Sequence, residues 1–256
     1  MAFEYAGSLS GAAPVVVNLD IGETCYEGQL LQSGIRGGLG GHVQILDAAG
    51  EAFENDIIPL GLVVGVVDAS RTYDGTYHGN SSTYTTTIAT IKANGAPGRV
   101  QVVLIRPFDT LLKGPICYTA YGTAPTVLTN TTASTAGTTL THTSTVTDTA
   151  DDLATLYMRT GANAGLSRVI TTVNTTSQVA TIPFPNTIAV GDTGLKVACV
   201  LGFGAMNIIA TADCIDGDNA LSSHWGVYYH EINCQEAGKE YAIFSFLPCS
   251  IDSFAS

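Results

Sequence analysis

The segment Arg168-Val169-Ile170-Thr171-Thr172-Val173, followed by Asn174-Thr175-Thr176-Ser177 and then by Gln178-Val179-Ala180-Thr181-Ile182, decides the fold class. Its first and last parts are rich in β-branched residues, which pack well on a pleated sheet. The four polar residues between them are typical of a turn, so the segment predicts two consecutive strands. A Pro-Phe-Pro sequence at 183–185 then ends the second strand.

The same pattern of short apolar runs and turns extends over most of the chain. From Pro14 to about Leu112 the turns are rich in Gly or Asn, as in Asn94-Gly95-Ala96-Pro97-Gly98. Leu153–Thr160 is compatible with a short helix or with a strand, and no helix longer than about three turns is needed anywhere. The predicted strands are Val15–Leu19, Val43–Leu46, Leu62–Val67, Tyr84–Ile91, Val100–Ile105, Arg168–Val173, Gln178–Ile182 and Leu195–Leu201.

The middle of the chain is dense in threonine. Between Thr119 and Thr149 there is almost no charge, and a run of this composition could form a flexible linker. Because Thr has a high strand propensity and apolar positions resume at Leu140 and Val146, we predict exposed edge strands and loops instead.

These patterns together predict an all-β protein with few or no long helices. The tail from Ala210 to Ser256 is rich in aromatic residues and resumes strand-like segments, so it should close the sheet begun near the amino terminus. We therefore expect a β-barrel or β-tulip-like body from residues 1–115 and 201–256, with an inserted Thr-rich β-module at 116–200.

Charge and composition argue against several functional classes. The chain has 256 residues, of which 12% are charged, and a net charge of −12 with ten dispersed basic residues. A phosphate backbone would repel such a surface, so we predict no direct binding of nucleic acid. Met1–Pro14 lacks the features of a secretory signal, and the most apolar run, Ile57–Val67, is too short to cross a bilayer as a helix. Synthesis in the cytoplasm and no membrane partner are expected.

The cysteines are spaced too far apart for a recognisable motif. In a reducing cytoplasm we expect them to be small buried hydrophobic residues, with disulfides formed after release from the cell as the alternative. Cys214, His224, His230 and Cys234 are zinc-ligand types, but their spacing fits no familiar finger, so a core role is favoured. The six cysteines are Cys25, Cys117, Cys199, Cys214, Cys234 and Cys249.

Other candidate sites are equally weak in the sequence. Asp213, Asp216, Asp218 and Asn219 could supply oxygen ligands to Ca²⁺, but the EF-hand pattern breaks after Asn219 and a solvated turn is the preferred interpretation. His42 and Asp47 could join a serine only on paper, because the chain has no G-x-S-x-G. We therefore expect no metal, no cofactor and no catalytic residue.

The sequence gives weak signals for two further chemistries. Gly37-Gly38-Leu39-Gly40-Gly41 lacks the Lys and Ser/Thr that complete a phosphate-binding loop. Cleavage of a glycoside needs a pair of carboxylates, and the carboxyl-terminal region contains candidates for such a pair. The candidates for that pair are Glu231, Glu236, Glu240 and Asp252.

Two segments carry a resemblance to phage proteins. Gly161–Ile170 and Ile182–Thr193 form a glycine-rich turn, an Arg-Ile strand, a Pro-Phe patch and a Gly-Asp turn, and this series resembles a β-module of tailed-bacteriophage virion proteins. Gly28–Leu31 and Ile57–Val67 are similar to strands of small head-decoration proteins with a β-tulip or β-barrel fold.

The resemblance implies a non-enzymatic capsid decoration, or cement, protein on the outside of the phage head. Its partners would be the major capsid protein and further copies of itself in a homotrimer, after synthesis in the host cytoplasm. A tail or fibre component that binds host glycans and a polysaccharide depolymerase are the alternatives.

Overall fold

The computed structural model describes residues 2–21, 25–33, 43–46, 59–67, 83–84, 98–118, 125–144, 154–206, 208–209, 214–217 and 225–248. These residues form twenty strands and no helix, which confirms the all-β prediction. Nothing within those ranges is a helix that could span a membrane.

Five strands close into a barrel. Gly61 is required there, because an added Cβ would lie 2.2 Å from Cγ1 of Val102 and 2.8 Å from the carbonyl oxygen of Val103. Val102 and Val103 are adjacent and both buried, as the apolar run Val100–Ile105 predicts. In spatial order the strands are β2 (Val16–Ile21), β5 (Val43–Ile45), β4 (Leu30–Ser33), β6 (Pro59–Val67) and β8 (Gly98–Leu104).

A seven-stranded sheet combines both ends of the chain. Two of its strands, at 202–206 and 208–209, follow each other directly in sequence but lie at opposite ends of the strand order, so the sheet curls back on itself. Tyr229, Phe244 and Leu112 are fully buried inside the curl. The order is β16 (Gly202–Met206), β19 (Trp225–Asn233), β20 (Tyr241–Phe246), β9 (Thr110–Cys117), β18 (Cys214–Asp216) and β17 (Ile208–Ile209), with β1 (Glu4–Ser8) paired to β9.

The Thr-rich region contributes a six-stranded sheet. Its two outermost strands, at 128–129 and 139–141, come from the threonine-dense stretch, which confirms the prediction of edge strands there. Leu153–Thr160 contains a strand and not a helix. In spatial order the strands are β10 (Leu128–Thr129), β15 (Thr193–Val197), β12 (Thr155–Met158), β13 (Ser167–Val173), β14 (Ser177–Ala180) and β11 (Thr139–Thr141).

The six-stranded sheet is joined to the rest of the molecule through its central strand. On β12, Tyr157 packs into the core that also contains Phe244 and Leu62, whereas Leu156 packs into a second core beside Phe184. Because β12 is buried on both faces, it fixes the sheet against the body.

The remaining pair is short. β3 (Cys25–Tyr26) pairs with β7 (Thr83–Tyr84), and most of the predicted strand Tyr84–Ile91 lies outside the described residues. The domain boundaries at residues 115 and 201 stay a prediction.

Candidate functional site

In the six-stranded sheet, the glycine-rich turn at 161–165 packs closely against the Gly-Asp turn at 191–192. Gly161 has a φ of +81°, and an added Cβ would lie 2.2 Å from Oδ1 of Asp192. Asp192 accepts a hydrogen bond from the backbone N–H of Ala189 at 2.8 Å. Only glycine therefore allows the two turns to approach this closely.

A buried asparagine ties the same turn to the Pro-Phe patch. Asn163 is fully buried, and its side chain donates to the carbonyl oxygen of Asn186 and accepts from the N–H of Asn186. The two distances are 2.9 and 3.1 Å. The guanidinium of Arg168 lies 5.3 Å from the ring centroid of Phe184. These contacts hold the segment 182–192 in one conformation.

This fixed segment exposes large apolar side chains. Ile182 is 63% exposed and Val190 is 65% exposed. Val169 on β13 is 41% exposed, and its carbonyl oxygen accepts the N–H of Thr181, the residue before Ile182. Exposed apolar residues on rigid backbone are typical of a contact surface.

The surface around these residues is almost without charge. The described residues 125–144 and 154–200 contain four charged side chains: Arg159, Arg168, Asp192 and Lys196. All but Arg168 are buried. We call the exposed part of 125–144 and 154–200 the module surface. It contrasts with the net charge of −12 of the whole chain.

A buried ion pair anchors the module to the curled sheet. Nη2 of Arg159 lies 2.5 Å from Oε1 of Glu240, and both side chains are almost inaccessible to solvent. Nε of Arg159 donates to the carbonyl oxygen of Cys234 at 2.8 Å. Gln235 returns a hydrogen bond from Nε2 to the carbonyl oxygen of Arg159 at 2.7 Å. The guanidinium and the backbone carbonyl of Arg159 thus both bind residues of the carboxyl-terminal region.

The four cysteines whose side chains the structure describes divide into two groups. Cys117 and Cys214 are joined in a disulfide with a Cα–Cα distance of 6.2 Å, so the expectation of reduced cysteines is wrong for this pair. The parallel pairing of β9 and β18 brings them together, because Ile116 lies opposite Ile215. Cys199 and Cys234 are buried free thiols, as expected.

The free thiols are poor nucleophiles. Burial raises the pKa of Cys199 to about 12, and burial also raises the pKa of Cys234 far above its usual range. Because only the thiolate reacts readily, both remain inert at neutral pH.

The predicted metal candidates do not assemble among the described residues. Asp216 ends β18, where it lies opposite Cys117, while Asp213 and Asp218 fall outside the described residues. Within the described part of the chain no three His, Cys, Asp or Glu side chains are placed to hold a metal ion. The disulfide removes Cys214 from the zinc-ligand types, and His224 lies outside the description.

The carboxylates considered for glycoside cleavage have separate partners. Glu240 pairs with Arg159, and Glu236 pairs with Lys239 on the surface. Glu231 accepts a hydrogen bond from the hydroxyl of Tyr241 at 2.8 Å. Asp252, His42, Asp47 and Gly37–Gly41 lie outside the described residues.

A buried histidine of the six-stranded sheet lies in a hydrogen-bond network that disfavours its protonated form. Gln178 Nε2 lies 3.1 Å from Nε2 of His142 and 3.0 Å from the carbonyl oxygen of Asn174, so it donates to both. His142 Nδ1 lies 2.7 Å from the carbonyl oxygen of Ser144 and must carry the proton. A second proton on the ring would face the amide N–H of Gln178, and burial already lowers the pKa of His142 below 6.5.

We expect the module to lose stability as the pH falls. The unfolded chain takes up a proton at His142 near pH 6.5, before the folded chain does, so protonation favours unfolding below that value. Urea unfolding measured between about pH 7 and 5 should show a falling free energy of unfolding, with a smaller fall in His142→Gln. Equal pH dependence in the two proteins would show that another group is responsible.

Sequence patterns missed the residues that hold this region together. Arg159 and Glu240 are 81 positions apart, and no local pattern links them. Asn163 lies in the predicted glycine-rich turn, but an asparagine in a turn gives no sign that its side chain will be buried. The described residues define an all-β protein whose module surface exposes apolar side chains and almost no charge. No family model, curated protein or solved structure matches the chain.

Proposed function

We propose that this protein is a non-enzymatic decoration protein of a bacteriophage head, bound to the outside of the capsid. The module surface carries the proposal, because it offers apolar side chains on rigid backbone with almost no charge to desolvate. Burying such a surface against a capsid protein stabilises the complex without the cost of removing ions from water. The negative charge elsewhere would keep free subunits soluble and apart from the packaged DNA.

This role needs no catalysis, because the same interface is repeated at every junction of the capsid lattice. An interface of standard size at each lattice junction adds contact area between neighbouring capsid subunits. Multiplied over all junctions, that area resists the internal pressure of the packaged DNA. The resemblance of Gly161–Ile170 and Ile182–Thr193 to a phage β-module supports this assignment. These two segments form the glycine-rich turn and carry the exposed side chains of Ile182 and Val190.

Labelling of intact particles distinguishes a head protein from a tail protein. Antibody and gold label should spread over the whole head of the phage that encodes the chain. Label confined to the tail would contradict the proposal and favour a tail or fibre component.

A charge placed on the module surface should weaken attachment of the protein to the capsid. Ile182→Asp introduces a carboxylate where an apolar side chain would be buried, so we expect its affinity for particles lacking the protein to fall at least about tenfold. Co-sedimentation of purified variants with such particles measures the loss. Val15→Asp, at a residue of the barrel segment that is 46% exposed, is the matched control and should bind normally. Equal binding by both variants would place the contact elsewhere.

The free protein should be a small cyclic oligomer, and we propose a trimer. Closed rotational symmetry would present identical module surfaces to symmetry-related junctions of the capsid lattice. Multi-angle light scattering over a range of concentrations tests this. A monomer at every concentration would argue against the trimer.

A further inference from the structure

A row of aromatic side chains lies on the outer surface of the curled seven-stranded sheet. Phe203 on β16 packs edge-to-face against Tyr228 on β19, with 5.0 Å between ring centroids. Tyr228 lies 4.8 Å from the imidazole of His230 on the same strand. Phe203 and Tyr228 are also direct partners in the strand register. We call Phe203, Tyr228 and His230 the aromatic row.

The fold itself does not require an exposed ring in this row. Val227 and Tyr229, which alternate with the row on β19, fill the interior of the sheet and are almost completely buried. Phe203 is 65% exposed. Leaving a phenyl ring in water at this exposure is unfavourable, so a ligand that covers the Phe203 ring would be favoured.

Hydrogen-bonding groups continue the row along the same face. Ser245 lies opposite Tyr228 but is fully buried, whereas Tyr241, four residues before it on β20, lies on the same side of the sheet and is partly exposed. The Tyr241 hydroxyl donates to Glu231 at 2.8 Å and accepts from the side chain of Asn233 at 3.4 Å. A carboxylate, an amide and a phenol are therefore held together on this face, about 13 Å along the strands from Tyr228.

Apart from the Glu231 carboxylate, the described residues of this face carry little net charge. His230 Nε2 and Ser245 Oγ hydrogen bond at 3.0 Å, and partial burial lowers the pKa of His230, which keeps the imidazole neutral at pH 7. Lys113 lies 4.7 Å from the ring centroid of Tyr241 and pairs with Glu4 at 3.5 Å, so its charge is balanced.

We propose that the aromatic row binds a neutral polysaccharide. A pyranose ring has one face of C–H groups, which stacks on an aromatic ring, and a rim of hydroxyls that pair with carboxylate, amide and phenol groups. Phe203 and Tyr228 supply the aromatic rings, and Glu231, Asn233 and Tyr241 supply the polar partners. An acidic polysaccharide would be repelled by a chain of net charge −12.

The site is separate from the module surface and would work beside it. The aromatic row belongs to the curled sheet, whereas the capsid contact proposed above belongs to the six-stranded sheet. One subunit could then hold the shell through one sheet and a glycan through the other.

Native electrophoresis in gels containing a polysaccharide tests the site with the full chain. Soluble β-glucan and galactan are the neutral probes, and alginate is the acidic one. We expect at least one neutral probe to retard the protein and alginate to have no effect. Phe203→Ala should weaken the retardation at least about tenfold, and Phe203→Trp should keep it, because the larger ring still stacks.

Ile182→Asp separates this site from the shell contact. It should bind the neutral probes as the unchanged protein does, whereas Phe203→Ala should still attach to particles. The proposal is overturned if neither neutral probe retards the protein, or if Phe203→Ala binds them normally. Loss of particle attachment in Phe203→Ala would also overturn it, because the row would then belong to the shell contact.

Discussion

Glu240→Gln is expected to lower the free energy of unfolding by about 3–5 kcal/mol, the usual cost of breaking a buried ion pair. The variant keeps the size of the side chain but leaves the guanidinium of Arg159 buried beside a neutral amide. Because Arg159 also holds the carbonyl oxygen of Cys234, the loss should loosen the contact between the module and the curled sheet. Urea unfolding followed by circular dichroism measures the change.

The chain contains its own control for this prediction. Glu236 and Lys239 form a pair of similar length, 2.6 Å, with both side chains more than half exposed. Glu236→Gln should therefore change the free energy of unfolding by less than about 1 kcal/mol. Similar losses in the two variants would mean that the Arg159–Glu240 contact is not the anchor described here.

Much of the strand pattern could be predicted because it depends on local sequence. The run Val100–Ile105 coincides with β8 to within two residues, and Arg168–Val173 coincides with β13 to within one. The ambiguity at Leu153–Thr160 had a physical cause, because a short apolar run fits a helix or a strand equally well. Only the burial of β12 on both faces decides it, and that burial depends on sheets distant in sequence.

The candidate surface was accessible to sequence analysis only in part. Low charge and dense threonine pointed to the Thr-rich module, and within the described residues 125–144 and 154–200 three of the four charged side chains, Arg159, Asp192 and Lys196, are buried. The aromatic row was missed. Tyr228 and Tyr229 are neighbours in sequence, and composition alone does not show that alternation along a strand buries Tyr229 and leaves Tyr228 on the outer face.

The Cys117–Cys214 disulfide closes a loop that contains the whole six-stranded sheet. The two residues are 97 positions apart, and they join β9 to β18 at the base of the module. In the chain-entropy model a cross-link over ~100 residues stabilises the folded state by about 4.7 kcal/mol, since it restricts the unfolded chain. Reduction, or the double change Cys117→Ala and Cys214→Ala, should therefore cost about 2–5 kcal/mol.

Two matched proteins make the reduction experiment specific. Guanidinium unfolding with and without dithiothreitol should show a large loss for the unchanged chain and for Cys199→Ala, which removes only a buried free thiol. The double variant should already be destabilised and should respond little to reductant. A pair of free thiols at 117 and 214 in the oxidised protein, detected by alkylation and mass spectrometry, would refute the pairing.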